Sequence, residues 1–167
     1  MSNVLLLERE LPLPPAAVWR AWTEPDLLKR WFCPLPWQTV EAHIDLQPGG
    51  AFGTVMQGPD GTRMAGTGCY LVVEAPHRLV WTSALGPGYT PQVDFHGAPL
   101  FTCELRFEAL PDGGTRYSAR AIHGDEAGAQ RHAAMGFHDG WGAALSQLVT
   151  TMQAQMKGPM QGHIAEG

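Results

Sequence analysis

Charge and cysteine are both scarce in this chain. Only 16% of its 167 residues are charged, with 11 Lys and Arg against 16 Asp and Glu and a formal net charge of −5. A nucleic-acid surface needs clustered Lys and Arg, so no nucleic-acid partner is expected. The three cysteines, Cys33, Cys69 and Cys103, are odd in number, far apart and outside any CxxC or Cys/His zinc spacing. Reduced thiols in a cytoplasmic protein are the simplest expectation, with no metal and no cofactor. Long apolar runs are missing as well. None approaches the roughly 18 residues of a membrane span, so no membrane insertion is expected. The N-terminal run Val4 to Leu7 is short and has no basic segment before it, unlike a signal peptide. No Ser-His-Asp order, phosphate-cradling glycine loop or GxSxG elbow is present, and the catalytic residues, if any, stay unknown at this stage.

What the sequence does hold is apolar residues (44%), 20 glycines and 14 prolines. That composition excludes whole-chain disorder and indicates short elements separated by many turns. A chain of this length fits one domain, expected over residues 1–157, with 158–167 as a flexible tail.

Residues 3–11 read as a strand stopped by Pro12, Pro14 and Pro15. Two short helices follow: Val18, Ala21 and Trp22 share a face, and after Pro25 so do Leu27, Leu28, Trp31 and Phe32. From 37 to 123 the period changes to two. Val40, Ala42, Ile44 and Leu46 alternate with Glu41, His43 and Asp45. Phe101, Cys103, Leu105 and Phe107 alternate with Thr102, Glu104 and Arg106, and Tyr117, Ala119, Ala121 and His123 with Arg116, Ser118 and Arg120. Gly58-Pro59-Asp60-Gly61 and Pro111-Asp112-Gly113-Gly114 are turns. From about Glu126 to Met156 one long helix is expected, with Phe137, Trp141, Leu145, Leu148 and Met152 along a stripe and Gly136, Gly140 and Gly142 inside it.

The predicted architecture is therefore α+β: a curved antiparallel sheet of seven strands, two short helices after strand 1, and a long C-terminal helix across the sheet. A bent sheet gripping one helix does not close completely, and the space between them suits an apolar ligand. Trp31, Phe32, Trp81, Phe101, Phe137, Trp141 and Met152 are the large apolar candidates for the cavity wall, ordinary core being the alternative for each. His123 is the polar candidate: it shares a strand face with Tyr117, Ala119 and Ala121, and reaches the cavity if that face is inward; a satisfied core histidine is the alternative. His132, His138 and Asp139 on the long helix match no metal-site spacing and read as surface groups, and Glu41, His43 and Asp45 read as a wet strand face.

Five segments carry a resemblance: PLPPAAVWRAWTEPDLLKRWF (12–32), IDLQPGGAF (44–52), GPDGT (58–62), APHRLVWT (75–82) and GFHDGWGAALSQL (136–148). In this order they resemble the SRPBCC, or START/Bet v 1-like, superfamily, and within it the branch named for homology to the activator of Hsp90 ATPase. ALGPGYTP (84–91) with HAAMGFHDGWG (132–142) looks like a bacterial polyketide cyclase-like subgroup. The resemblance implies the helix-grip fold and a hydrophobic pocket, but function only by analogy.

Three functions follow as expectations. The first is binding of a small hydrophobic or aromatic molecule without catalysis. The second is an enzyme in the same cavity, a polyketide cyclase/aromatase or a hydrolase. The third is a stress-related Hsp90 co-chaperone, disfavoured because the additional N-terminal domain of the eukaryotic activator is not expected here. Residues 86–99 are expected to form a mobile flap in which Tyr89, Phe95 and His96 close over a ligand. A homodimer is expected through a sheet edge or through the apolar stretch Trp31 to Trp37.

Overall fold

The computed structural model describes residues 2–94 and 97–165, with side chains as far as 157. Its elements are β1 (Val4–Leu11), α1 (Pro15–Thr23), α2 (Pro25–Leu28), β2 (Gln38–Ile44), β3 (Ala51–Gln57), β4 (Arg63–Glu74) and β5 (Arg78–Thr82). Then come β6 (Leu85–Gly86), β7 (Thr90–Pro91), β8 (Phe101–Ala109), β9 (Thr115–His123), α3 (Glu126–Ala134) and α4 (Phe137–Ala165). Seven strands form one antiparallel sheet in the order β1-β9-β8-β5-β4-β3-β2. The helix-grip architecture expected from the sequence is the one found.

Alternation decides which face of the sheet is buried. On β8, Phe101, Cys103, Leu105 and Phe107 point into the core, and on β9 so do Tyr117, Ala119, Ala121 and His123. The register sets Cys103 against Ala121 and Leu105 against Ala119. Small alanines beside larger side chains let α4 approach, and its Leu145, Leu148 and Met152 are buried in the shared core. Register shifts between Thr39 and Glu41 on β2, and between Tyr70 and Val72 on β4, are bulges that bend the sheet around the helix. Pro15 starts α1, where a missing N–H costs nothing, and the helix buries Ala17, Val18, Ala21 and Trp22.

The outer face is less simple than a wet surface. The side chain of Glu104 is only 6% exposed, beneath three guanidinium groups. Arg120 lies 2.6 Å from Oε1, while Arg78 (2.9 Å) and Arg106 (3.0 Å) share Oε2. The other charged stripe behaves as expected, with Glu41 and His43 both exposed.

Three expectations need correction. The single helix from 126 is two helices. Gly136, with φ at +93°, ends α3 in the left-handed region, and its carbonyl accepts the Gly140 amide as α4 begins. Leu46 is exposed beyond the end of β2 rather than on its apolar face. The segment after β5 does enter a ladder: β6 and β7 pair as a two-stranded hairpin around a 3-10 turn, Pro87–Tyr89. A hydrogen bond from Gln92 N to Ala84 O closes the hairpin, while bonds from Gly88 N to Gly49 O and Gln92 Nε2 to Thr67 O tie it to the β2–β3 turn and to β4. Tyr89 packs on Gly49, where a Cβ would meet its ring at 2.9 Å, rather than over a cavity. Phe95 and His96 lie outside the described residues.

The apolar surface available for self-association is also smaller than the sequence suggests. Trp31 is buried and Trp37 is half-buried against Gly58, leaving Leu35 as the large exposed side chain of that stretch.

Candidate functional site

Between the sheet and α4 lies a cavity of about 320 Å³. Aromatic rings make most of its wall. Trp22 from α1, and Trp31 and Phe32 just after α2, meet Phe52 of β3 and Trp81 of β5 on the sheet side. Phe137 and Trp141 of α4 close the helix side, with Phe101 of β8 between. The rings lock one another edge to face: Trp22 and Trp31 centroids are 4.9 Å apart at 74°, and Phe52 and Trp81 4.9 Å apart at 63°. Trp31 is also fixed by its indole N–H, which donates to the Ala21 carbonyl at 3.0 Å. Met135, 62% exposed, and Gly136 belong to the same wall, so the junction of α3 and α4 borders the opening.

Few polar groups reach this space. Ser83 is satisfied by the backbone of Phe101, donating to its carbonyl and accepting its amide. Cys33 is half-buried; burial pushes its thiol pKa up, against the lowering contact with the Thr39 hydroxyl. Its backbone has φ at +108°, an uncommon value for a residue with a Cβ.

Thr54 also lines the space, and the wall residues Trp22 and Trp81 have buried indole N–H groups without a hydrogen-bond partner among the described residues. A histidine pair adds a further polar group. His123, at the end of β9, is buried with its Nδ1 3.1 Å from the Asn3 carbonyl. Its Nε2 is 2.8 Å from Nδ1 of His132 on α3. His132 lines the cavity, its ring against Phe101 (4.8 Å), Phe137 (5.2 Å) and Trp141 (6.1 Å). Burial, with His123 adding to it, lowers the His132 pKa to about 4. Both histidines belong to one short relay that starts at a backbone carbonyl and ends at the cavity.

Of the residues named from the sequence, Trp31, Phe32, Trp81, Phe101, Phe137 and Trp141 converge on this cavity. Met152 does not; it is fully buried in the core further along α4. His123 does not line the cavity either; it is hydrogen-bonded to His132, which lines the cavity rather than the outer surface expected from its sequence pattern. Trp22, Phe52, Tyr117 and Leu145 were missed as wall residues. The usable signal for His132 was the N-cap: Asp125 accepts the Gly128 amide, which starts α3 just after β9 and turns its second turn back toward His123. Among the described residues no group of three or more His, Cys, Asp or Glu side chains is placed to hold a metal ion. Among them, no helix is long and apolar enough to cross a membrane.

No curated protein matches the chain. Solved structures do. A protein from Nitrosomonas europaea is 42% identical, with a TM-score of 0.86 over 92% of this chain and 96% of that one. A protein from Arthrobacter aurescens, 24% identical, has a TM-score of 0.78 over 91% of this chain and 87% of that one. An AHSA1-like protein from Aeromonas hydrophila, also 24% identical, has a TM-score of 0.66 over 91% and 93%. The last two speak for the fold alone. The model of the activator of Hsp90 ATPase homolog 1-like protein family matches residues 12–153, from the end of β1 to the core stripe of α4, and the chain belongs to that family.

Proposed function

We propose that this protein binds a small, flat, apolar or aromatic molecule in the cavity between the sheet and α4. The observation that carries the reading is the wall itself: nine Phe, Trp and Tyr rings around about 320 Å³ with few polar side chains among them. That volume is at the lower end of the roughly 300–1,000 Å³ of small-molecule pockets, which favours a ligand of a few fused rings. Rings held edge to face by their neighbours present fixed faces for stacking, so little side-chain entropy is lost on binding. Three unpaired cysteines, two of them buried, suit a reducing compartment, and the reading places the protein in the cytoplasm.

Binding is favoured over turnover for a stated reason. The imidazole at the cavity, His132, is held neutral down to about pH 4, and burial raises the Cys33 thiol and the Tyr117 hydroxyl above their ordinary values. A general base works best with a pKa near the operating pH, and the imidazole gives little pull on a ligand proton at neutrality.

The test uses the wall as its own probe. Tryptophan fluorescence should change saturably on titration with a bicyclic aromatic such as 2-methoxynaphthalene, and the Trp141→Ala variant should bind it more weakly. No saturable response up to the probe's solubility would overturn the reading. Native mass spectrometry of the purified protein should show a non-covalent mass increment that organic solvent removes.

A further inference from the structure

The cavity carries His132 at the α3 side, apart from the unpartnered indole N–H groups of Trp22 and Trp81, and the hydrogen bonds behind this imidazole fix what it can recognise. A carbonyl oxygen only accepts, so Nδ1 of His123 must carry its proton to bond Asn3 O at 3.1 Å. With that single proton on the ring, Nε2 is bare and accepts at 2.8 Å from Nδ1 of His132. The His132 proton is thereby committed to Nδ1. Its Nε2 is left as a lone pair with no partner among the described residues, on a ring that lines the cavity. Asn3 holds the start of the relay from both sides: its carbonyl also takes the His123 amide at 2.9 Å, and its Nδ2 donates to the His123 carbonyl at 2.7 Å.

We infer that the ligand carries a hydroxyl on its apolar ring system, a phenol or enol, and that this hydroxyl donates its hydrogen bond to Nε2 of His132. This deepens the binding reading above and rests on it. An acceptor-only nitrogen among Phe101, Phe137 and Trp141 discriminates by chemistry. A ketone, an ether or a carboxylate would set lone pair against lone pair in an apolar surround, and desolvated polar groups left unpaired are costly. A hydroxyl satisfies the nitrogen and places its ring against the aromatic walls. The lowered basicity of His132 agrees with this, since an imidazolium would carry a second N–H and reverse the preference.

Isothermal titration with a matched pair of probes, 2-naphthol and 2-methoxynaphthalene, separates the two levels of the argument. The wild-type protein should bind the naphthol about tenfold more tightly, the worth of one net hydrogen bond. In His132→Leu, folded by its amide spectrum, the ratio of the two affinities should fall to about one. Equal affinities in the wild type would overturn the proposal and leave the binding reading standing. Failure of both probes to bind would overturn that reading, and the proposal with it. A second measurement needs no variant: long-range 1H–15N correlation of the imidazoles should show His132 protonated at Nδ1 and bare at Nε2. The opposite tautomer would overturn the proposal.

Discussion

The Gln147 side chain donates from Nε2 to the Cys33 carbonyl at 2.9 Å. The same nitrogen donates to the Trp31 carbonyl at 3.0 Å, and Oε1 accepts the Leu35 amide at 3.1 Å. One residue of α4 thus clamps the loop that carries the Trp31–Phe32 wall and holds Cys33 at its positive φ. Gln147→Leu removes all three bonds and should lower stability by about 1–3 kcal/mol. Urea unfolding checks the magnitude. Hydrogen exchange should show the Leu35 amide becoming faster than in the wild type, and unchanged protection there would contradict the clamp.

Glu104 controls acid stability on the opposite face of the sheet. Burial works to raise its pKa, but hydrogen bonds from Arg120, Arg78 and Arg106 outweigh it and bring the carboxyl down to about 2 from an ordinary 4.5. The folded value is below the unfolded one, so this contribution is fully present above about pH 4.5 and is lost as the pH falls toward 2. Glu104→Gln should be less stable than the wild type by about 1–3 kcal/mol at pH 7. The gap should narrow in urea titrations run toward pH 3. A gap independent of pH would assign the loss to shape rather than charge.

Two glycines near the cavity opening should respond in opposite directions. Gly136 has φ at +93° with open space where a Cβ would go. Gly136→Ala should therefore cost about 1–2 kcal/mol in backbone strain alone. Gly140 lies in the first turns of α4, where a Cβ would meet Pro34 Cγ at an ordinary 3.9 Å. Gly140→Ala should gain about 0.5–1 kcal/mol of stability. Because Gly140 lines the cavity, the same methyl should weaken binding of the larger probes. Thermal melts and probe titrations of the two variants check both signs.

His132 should behave as a buried neutral base. Its folded pKa, about 4, is below the ordinary 6.5, so its contribution to stability is complete above pH 6.5 and declines as the pH falls toward 4. Its ring proton shifts should stay flat from pH 8 to about 5 and move only below that. A midpoint near 6.5 would mean that the ring is solvated.

Much of the fold was legible because periodicity is a local signal. The alternation 101–107 and 117–123 specified the buried faces of β8 and β9, and the prolines at 12–15 and 25 marked the helix starts. The break at Gly136 was readable in principle, as a glycine at a helix end, but the apolar stripe on both sides hid it. The β6–β7 hairpin is only two residues a strand, too short for a periodic pattern, and the bonds that hold it down go to Gly49 and Thr67, far away in sequence. The wall rings were legible as large inward residues. Helical spacing alone could not separate Trp141, which faces the cavity, from Met152, which faces solid core. The His123–His132 bond depends on α3 turning back across the end of β9, a tertiary relation that neither residue's own pattern contains.

The most direct test of the central claim is to locate a bound probe. Isotope-filtered nuclear Overhauser spectra of the labelled protein with 2-naphthol should show contacts from the naphthyl protons to Trp141, Phe101 and Phe32, three rings of the cavity wall. Contacts confined to side chains outside that wall, such as Leu35, Met64 or Val93 on the surface, would contradict the account.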